Sequence, residues 1–555
     1  MRQLLQLIDF RLDGRTAAAN DDGGTLLDAL REQLGARTPK DGCSPQGQCG
    51  CCTVWIDGAP RVSCVTPLRR VAGREVTTVD GLPEDVRRRW ADAFVTAGAS
   101  QCGFCTPGIV LRLAALEQRR QPGRPLDEAA IRTALLAHLC RCTGWQTIVE
   151  AAGAVLGVPV GPDRATAPAD PAAEPAAAEA AGPPEAGDAD SDAREGTCGR
   201  DPLLVAWRAQ LEGPTFQVSS ADTVLGRAGF ADDTAPEGAL VAVPGPVAAT
   251  SAHAADADAH GEPPTAAAHA DTAAPAAGLP AGAGILDTLV TAPSLAEARA
   301  RSGKVQGRNS SVALGHPLEV PPGKWALTLR TTWVEPAYLE PDASWCVPGG
   351  RPATALANGG AFGGKRHSPV PEAARLLADR TGRPARVLWP REEVVRRGPK
   401  RPPVALGLRA DGTGMLRVAR TPGSGPLEGY AARVAAAVPG VEVEEVEVPG
   451  PPVSADLRLA GWAEVTAAMA VLGTRTAGGT GGSPGMPVRA GVPVEVTAPG
   501  GGRARVAVAA DRVAVEVWAG EVLDEVTLRS YCIGAVHQAL GWVRSEGIAV
   551  GADGA

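Results

Sequence analysis

Four cysteines lie within ten residues of one another in the segment 41–58, which reads DGCSPQGQCGCCTVWIDG. Glycines at positions 42, 47 and 50 interrupt the run, so the segment has no room for a regular helix. A chain that gathers thiols this closely must form a tight loop around whatever they bind. The segment therefore predicts metal or redox chemistry near the N-terminus.

The cysteines are distributed unevenly along the chain. Nine of the 12 cysteines in the chain precede residue 143, whereas Cys198, Cys346 and Cys532 are isolated. We expect these three to act as small buried hydrophobic side chains.

Length and charge limit the class of protein. A chain of 555 residues is too long for one core, and two to four domains are expected. The net charge of -8 and the pI of about 5.6 argue against nucleic acid as the main partner. No apolar run is long enough to span a bilayer, and no signal-peptide pattern is evident. The sequence therefore predicts a cytoplasmic protein without a membrane partner, where disulfides are rare.

Two N-terminal segments differ in character. Residues 1–83 combine short strands, turns at LDG and IDG, and one helix capped by Thr25, which predicts a small mixed sheet packed on a helix. Residues 84–158 are predicted to form a compact helical bundle. Helix starts are predicted at Thr106, Asp127 and Thr143, and one helix is predicted to present an apolar face of Ile131, Leu135, Leu136 and Leu139.

Two segments of strongly biased composition interrupt the rest of the chain. Residues 159–195 are dominated by Pro, Ala, Asp and Glu and are predicted to be a disordered linker. Residues 196–555 alternate apolar strand-like runs with short helices, around a second predicted disordered insert at 250–284.

The spacing of four of the early cysteines resembles that of the ligands of a 2Fe–2S site. Such a cluster takes four thiolates, and the plant-type pattern is C-x4-C-x2-C followed by a distant cysteine. Here the gaps are x5, x2 and x11, for Cys43, Cys49, Cys52 and Cys64. The glycines would let the loop curl over the cluster and aim backbone N–H groups at its sulfides. Cys51 falls outside this spacing and is expected to point away from the iron.

A second set of cysteines occurs at predicted helix ends. Cys102 and Cys105 lie in QCGFCTPG, and Cys140 and Cys142 lie in LCRCTG. Four thiolates there could hold a second cluster, whose negative charge the helix N-termini would offset. The same pairs could instead form a tetrahedral zinc site. Spacing alone leaves both alternatives open, with disulfides a distant third.

The cysteine segments resemble the iron–sulfur subunit of the xanthine dehydrogenase, or molybdenum hydroxylase, family through DGCSPQGQCGCCTVWIDG, SCVTP, QCGFCTPGIVL and LCRCTGWQTIVEA. The resemblance covers residues 1–158. It implies an α+β arrangement in which a β-grasp, plant-ferredoxin-like domain and a four-helix bundle carry one 2Fe–2S cluster each. It assigns the outer cluster to Cys43, Cys49, Cys52 and Cys64, and the inner cluster to Cys102, Cys105, Cys140 and Cys142. It also implies that Gln101 lies near molybdopterin, which a large subunit binds in the family.

Later segments resemble parts of that family's molybdenum-binding subunit. They are VLGRAGFADDTAPEGALVAVP at 224–244, TTWVEPAYLEPDASWCVP at 331–348, NGGAFGGK at 358–365 and SYCIGAVHQALGW at 530–542. The resemblance implies a mixed α/β region, with cofactor-facing glycines at Gly359, Gly360, Gly363 and Gly364. A purely structural glycine turn is an equal alternative. A nucleotide-binding P-loop is not expected, because Arg366 stands where Ser or Thr would hold magnesium.

Two departures from the family pattern bear on activity. The glutamine-bearing segment that normally precedes GGAFGG is missing, and no Gly-x-Gly-Glu motif carries the family's catalytic glutamate. We therefore expect the chain alone to lack a complete molybdenum site, and we assign it no catalytic residue.

Two functions of different classes follow. The first is an oxidoreductase component that relays electrons from a molybdopterin centre through two 2Fe–2S clusters to FAD on a partner subunit, for a heterocycle or aldehyde substrate. The alternative is a non-catalytic iron–sulfur adaptor, whose C-terminal region is a degenerate scaffold that docks the catalytic subunit. A zinc-stabilised interaction module is a weaker third.

Overall fold

The computed structural model describes most of the chain, in separate stretches. These are residues 6–43, 46–120, 123, 125–161, 219–245, 282–303, 315–334, 338–353, 360–366, 368–422, 424, 427–455, 457, 461–477, 491–498, 500–510 and 512–551. Nearly all of the predicted linker 159–195 and of the predicted insert 250–284 lies outside these stretches, as do Cys198 and Gly359.

The N-terminal unit is a five-stranded mixed sheet. In spatial order its strands are β2 (Arg15–Asp21), β1 (Gln6–Leu12), β5 (Glu75–Thr77), β3 (Thr53–Ile56) and β4 (Ala59–Val62). Strands β1 and β5 pair in parallel, and the other neighbours are antiparallel. Both hairpins turn at Asp-Gly pairs with positive φ, at 13–14 and 57–58, as the sequence predicts.

One helical segment packs on this sheet. Helix α1 (Leu26–Asp28) begins at Thr25, whose side chain forms a capping box with Asp28. The segment continues as a π-helical turn, Ala29–Gln33, and the chain reverses at Gly35 with φ +67°. The predicted position and cap are confirmed. The wider turn was not predicted, because apolar side chains at this spacing suit both kinds of helix.

Four helices form the second unit. They are α2 (Glu84–Ala97), α3 (Thr106–Gln118), α4 (Glu128–Ala134) and α5 (Gln146–Leu156). Their apolar faces meet in one core with the side chains that surround the cysteines. Asp127 caps α4 by accepting a hydrogen bond from the Ala130 N–H, as the sequence predicts.

Three local predictions in this unit are wrong. Helix α3 includes Thr106, and Cys105 occupies the N-cap position. Helix α4 ends at Ala134, so Leu136 and Leu139 leave the helical face and are 81% and 45% exposed. Helix α5 begins after Trp145, whose φ is +71°, so Thr143 is not its cap. Each error concerns chain that bends around the cysteines, where local propensity does not decide the backbone.

The region after residue 218 contains three further sheets. The first has the order β7 (Leu289–Ala292), β6 (Leu240–Pro244), β10 (Ala385–Trp389), β9 (Asp342–Cys346). The second has the order β13 (Val441–Glu447), β12 (Gly414–Arg420), β11 (Val404–Leu408), β8 (Leu327–Arg330). The third is a meander of β14 (Val494–Thr497), β15 (Arg503–Val508) and β16 (Val513–Trp518).

Helices accompany these sheets. They are α6 (Ala221–Val224), α7 (Leu295–Ser302), α8 (Val370–Thr381), α9 (Arg391–Arg397), α10 (Tyr430–Ala437), α11 (Ala463–Ala477) and α12 (Glu525–Arg544). Within the stretches that the structure describes, no helix combines the length and apolar character needed to cross a membrane. The predicted α+β class is confirmed, with a sheet unit, a four-helix unit and a mixed α/β region.

Candidate metal centres

The first cysteine quartet forms where the loop after α1 meets the β3–β4 hairpin. The Cys43 thiol contacts those of Cys49 and Cys64, and the Cys52 thiol contacts that of Cys64. Pairing of β3 with β4 sets part of this arrangement, because the Ser63 N–H donates to the Cys52 carbonyl at 3.2 Å. All four side chains are buried. The structure thus brings together the four cysteines that spacing selected.

Backbone N–H groups surround this quartet. The N–H of Gln46 lies 3.4 Å from Cys43 Sγ, and the N–H groups of Gln48 and Cys49 also donate to that sulfur. Contacts with the Cys49 and Cys64 thiols lower the pKa of Cys43, whereas contacts with the Cys43 and Cys52 thiols raise the pKa of Cys64. The loop is therefore built to stabilise negative charge on sulfur.

Two glycines make the loop geometry possible. A Cβ at Gly42 would lie 3.1 Å from Cys49 Sγ and 3.2 Å from Cε1 of Phe104. Gly50 has φ +72°, and a Cβ there would lie 2.6 Å from the Ala137 carbonyl oxygen. The first loop therefore packs directly against the helical unit, with no space for larger residues.

The second quartet forms between the helices. The sulfurs of Cys102 and Cys142 are 3.6 Å apart, and the Cys105 thiol contacts that of Cys140. The Thr143 hydroxyl lies 3.1 Å from Cys140 Sγ, so this residue serves the quartet rather than capping α5. The contact with Cys105 lowers the pKa of Cys140 to about 6. All four side chains are buried, as in the first quartet.

Helix α12 covers the second quartet from the other end of the chain. The Gln101 side-chain amide donates to the Cys142 carbonyl and to the Ser530 hydroxyl, both at 2.9 Å. Ser530 in turn donates to the Gly98 carbonyl at 2.7 Å, and Gln538 donates to the Arg141 carbonyl at 3.1 Å. These bonds attach α12 to the loops that present the cysteines.

Close backbone contact accompanies these bonds. A Cβ at Gly534 of α12 would lie only 1.8 Å from the Cys142 carbonyl oxygen. At the edge of the same contact, the Arg529 guanidinium donates a hydrogen bond to each carboxylate oxygen of Glu150, both at 2.7 Å. The 530–542 segment therefore packs directly against the loops of the second quartet, a role that was not predicted from its sequence.

The glycine-rich turn also reaches this quartet. A Cβ at Gly360 would lie 3.3 Å from Cys142 Sγ, and Gly363 adopts φ +99°. The Gly364 N–H donates to the Ala361 carbonyl at 2.8 Å, which closes a local turn. The adjacent Lys365 forms a buried ion pair with Glu340 at 2.7 Å. The lysine that follows the glycines is thus engaged by a carboxylate of the same chain.

A buried ion network that was not predicted joins the first unit to the later region. Arg31 contacts Asp232 at 2.7 Å and Asp233 at 2.8 Å. Lys40 pairs with Asp233 as well, and Arg386 reaches Asp232 at 2.6 Å. The partners lie about 200 and 150 positions apart in sequence, so no local pattern could pair them.

A second pairing of this kind reaches the cysteine loop itself. Arg299 of α7 contacts Asp41, which stands two residues before Cys43. Arg299 also lies 3.6 Å from Asp28 of α1. The later region thus fixes the entry of the first cysteine loop.

The two quartets supply the donors that 2Fe–2S clusters need. Every cysteine within the described stretches is a free thiol, which excludes disulfides there. In those same stretches no group of three or more His, Cys, Asp or Glu side chains has the arrangement of a site for a single metal ion. The sulfurs instead contact one another in pairs, with backbone N–H donors around them. That is the donor chemistry of a thiolate-bound cluster.

Comparison with known proteins agrees with this geometry. Residues 10–72 match the family model described as a 2Fe–2S iron-sulfur cluster binding domain, and residues 78–153 match a [2Fe-2S] binding domain. The nicotinate dehydrogenase small FeS subunit of Eubacterium barkeri is 37% identical over 140 residues, 25% of this chain and 87% of that protein. The xanthine dehydrogenase iron-sulfur-binding subunit of Escherichia coli O157:H7 is 39% identical over 128 residues, 23% of this chain and 79% of that protein.

One solved structure resembles a larger part of the chain. The aldehyde oxidoreductase from Desulfovibrio gigas covers 86% of this chain with a TM-score of 0.52 at 18% identity. The match spans 62% of that protein's length, and at this identity it speaks for the fold alone. The later region thus has a fold related to part of that protein.

Proposed function

Because the chain belongs to the molybdenum hydroxylase family and carries the two 2Fe–2S domains of its iron–sulfur subunits, we propose that it passes single electrons from a molybdopterin centre to a flavin. Both of these redox groups are assigned to partner subunits. The observation that carries the proposal is the gathering of eight buried thiols into two quartets. Relatives of this kind favour electron relay over the adaptor interpretation.

The ligand assignment follows the two quartets. The first cluster is held by Cys43, Cys49, Cys52 and Cys64, and the second by Cys102, Cys105, Cys140 and Cys142. The domain limits proposed with it are 1–83 and 84–158 for the two cluster units, 159–195 for a linker and 196–555 for the molybdenum-subunit-like region.

The chain's own groups prepare each site for electron transfer. When bound, a 2Fe–2S cluster accepts and releases one electron at a time. Burial of the cysteines excludes water, and N–H donors at Cys43 Sγ favour the more negative, reduced state. At the second site, the N–H groups of Cys142 and Thr143 donate to Cys140 Sγ in the same way. The Gln101 amide holds the Cys142 carbonyl, which fixes the loop between α4 and α5.

The second site is the proposed entry point for electrons. Gln101, predicted to lie near molybdopterin, donates to the Cys142 carbonyl, and Gly360 packs against the Cys142 sulfur. Gly363 and Gly364 belong to the same turn and keep their proposed cofactor-facing role. Because the family's glutamine segment and glutamate motif are missing, we propose that a partner chain supplies the complete molybdenum centre. The proposed substrate class is a heterocycle or aldehyde, in keeping with the names of the relatives.

Metal analysis and spectroscopy test the relay. The purified full chain should contain iron and acid-labile sulfide and give two distinct EPR signals after dithionite reduction. A colourless protein with stoichiometric zinc would refute the proposal.

A second measurement separates the clusters from the molybdenum site. The chain expressed without partners should contain little or no molybdenum. A full equivalent of molybdenum together with substrate turnover would show instead that this chain is a complete enzyme.

A further inference from the structure

Arg141 stands between Cys140 and Cys142, two proposed ligands of the second cluster. Its side chain passes close to one of these sulfurs, because a Cβ at Gly360 would lie 3.3 Å from Cys142 Sγ, 3.2 Å from Cβ of Arg141 and 3.4 Å from its Cγ. The Arg141 side chain is only 8% exposed, and its guanidinium is always charged. The second quartet therefore has beside it a positive charge that water screens poorly.

Glu546, in the segment after α12, pairs with this arginine. Arg141 Nη1 lies 2.5 Å from Glu546 Oε1, across 405 positions of sequence. The Glu546 side chain is 30% exposed, so solvent screens its carboxylate only in part. The later region thus places a negative charge next to the positive charge at the second quartet.

The backbone holds Glu546 in this position. Its N–H donates to the Gly541 carbonyl at 2.7 Å, just beyond the end of α12. A Cβ at Gly541 would lie 2.5 Å from Glu546 Oε1, so glycine leaves room for the carboxylate to fold back toward Arg141. Ile548 fixes the chain that follows, because its N–H donates to the Trp333 carbonyl at 3.0 Å. These contacts place the carboxylate without the help of the arginine.

We propose that Glu546 lowers the reduction potential of the second cluster by offsetting the positive charge of Arg141. The inference rests on the proposed function, because it needs the clusters to be present. The reduced cluster carries one more negative charge than the oxidised cluster, so a nearby cation favours reduction and a nearby anion opposes it. A lower potential at the second cluster favours transfer of its electron to the first cluster.

Redox titration of the full chain at pH 8, where histidine imidazoles are neutral, followed by EPR, tests the proposal. Glu546→Gln keeps the length of the side chain and an oxygen that can accept from Arg141, but it removes the negative charge. The ratio of reduced to oxidised second cluster at a fixed ambient potential should rise about fivefold, as expected for one half-buried unit charge. Arg141→Gln removes the positive charge and should lower this ratio by a comparable factor.

The opposite signs separate an effect of charge from an effect of structure. A loosened cysteine loop would move the second-cluster potential in the same direction in both variants, whereas removal of charge raises it in Glu546→Gln and lowers it in Arg141→Gln. The first cluster should change less than the second in both variants, because Arg141 lies between ligands of the second. Cys102→Ser identifies which EPR signal belongs to which quartet.

A matched control breaks a similar ion pair elsewhere. Glu444 of β13 contacts Arg417 of β12 at 2.8 Å, in the second sheet of the later region. Glu444→Gln removes one carboxylate from this sheet and none from α12 or the cysteine loops. Both potentials should therefore remain unchanged in this variant.

Four results would overturn the inference. An unchanged second-cluster potential in Glu546→Gln would show that the carboxylate does not act on the cluster. Shifts of the same sign in Glu546→Gln and Arg141→Gln would show that loop packing sets the potential. A shift in Glu444→Gln as large as that in Glu546→Gln would reduce the effect to overall net charge. Loss of the second EPR signal in Glu546→Gln would make the ion pair a structural contact.

Absence of iron and sulfide from the unmodified chain is a different outcome, because it refutes the proposed function itself.

Discussion

Replacing Gly534 with alanine tests how closely α12 is docked over the second quartet. A Cβ at Gly534 would lie 1.8 Å from the Cys142 carbonyl oxygen, whereas real Cβ contacts are not shorter than 3.0 Å. The two backbones would therefore have to separate by at least 1.2 Å. The obstacle is a backbone atom, so no side-chain rotation relieves it.

The energetic effect can be worked from the bonds that this separation breaks. The bond from Gln101 to Ser530 and the bond from Gln538 to the Arg141 carbonyl would lengthen beyond hydrogen-bond range. Each buried polar group left without a partner costs about 1–3 kcal/mol. Part of this cost, about 1 kcal/mol, is offset because alanine has a higher helix propensity than glycine. We therefore expect docking of α12 to weaken by about 2 kcal/mol, or roughly 30-fold.

Hydrogen–deuterium exchange measures this effect locally. Amides of α12 that exchange through undocking should exchange about 30-fold faster in Gly534→Ala. The matched control is Gly473→Ala on α11, an exposed helix position where a Cβ would meet no atom within 4 Å. That variant should leave α12 exchange unchanged. Unaltered or slower exchange of α12 in Gly534→Ala would refute the docking geometry.

The remaining predictions concern single sites. Cys102→Ser should abolish one EPR signal and leave the other, and loss of both would contradict the division into two quartets. Asp232→Asn should lower the free energy of unfolding at pH 7 by about 3–5 kcal/mol, because it leaves buried Arg31 and Arg386 without their shared partner. Thermal unfolding measures this change. The control is the exposed substitution Glu372→Gln, which should cost about 0–1 kcal/mol, and an effect of Asp232→Asn no larger than that would contradict the prediction. Burial raises the pKa of Asp232, but Arg386 and Arg31 outweigh it and hold the pKa below its ordinary value. The Asp232 carboxylate therefore stabilises the fold above about pH 4, and this stabilisation is lost as the pH falls further. The difference in the free energy of unfolding between Asp232→Asn and the unmodified chain should thus become smaller in acid.

Local signals predicted the parts of the fold that depend on few residues. The Asp-Gly hairpins and the caps at Thr25 and Asp127 occur where the sequence places them, because turn and cap chemistry is read from adjacent side chains. Both quartets could likewise be selected from spacing. The starts of α3 and α5 could not, because loops that bend around the cysteines impose backbone angles such as the positive φ of Trp145.

Long-range contacts stayed outside the reach of sequence reasoning. Gln101 and Ser530 are separated by 429 positions, and Arg31 and Asp232 by 201. The ion network holds Asp232 fully buried and Asp233 half-buried. A single sequence contains no periodicity that pairs such residues, since the pairing depends on how separate units meet.

These long-range contacts give the later region a role that does not depend on its binding molybdenum. Relatives of the first 158 residues are named as subunits, so they are chains that assemble with others. Here the surface around the second quartet is covered by α12, and the charges of Arg31 and Lys40 are neutralised by Asp232 and Asp233 of the same chain. Without those carboxylates, two cations that are buried in the full chain would need water or another partner, at a cost of several kcal/mol each. The later region therefore acts as a built-in partner surface for the iron–sulfur units, and measurements of cluster potential belong on the full chain.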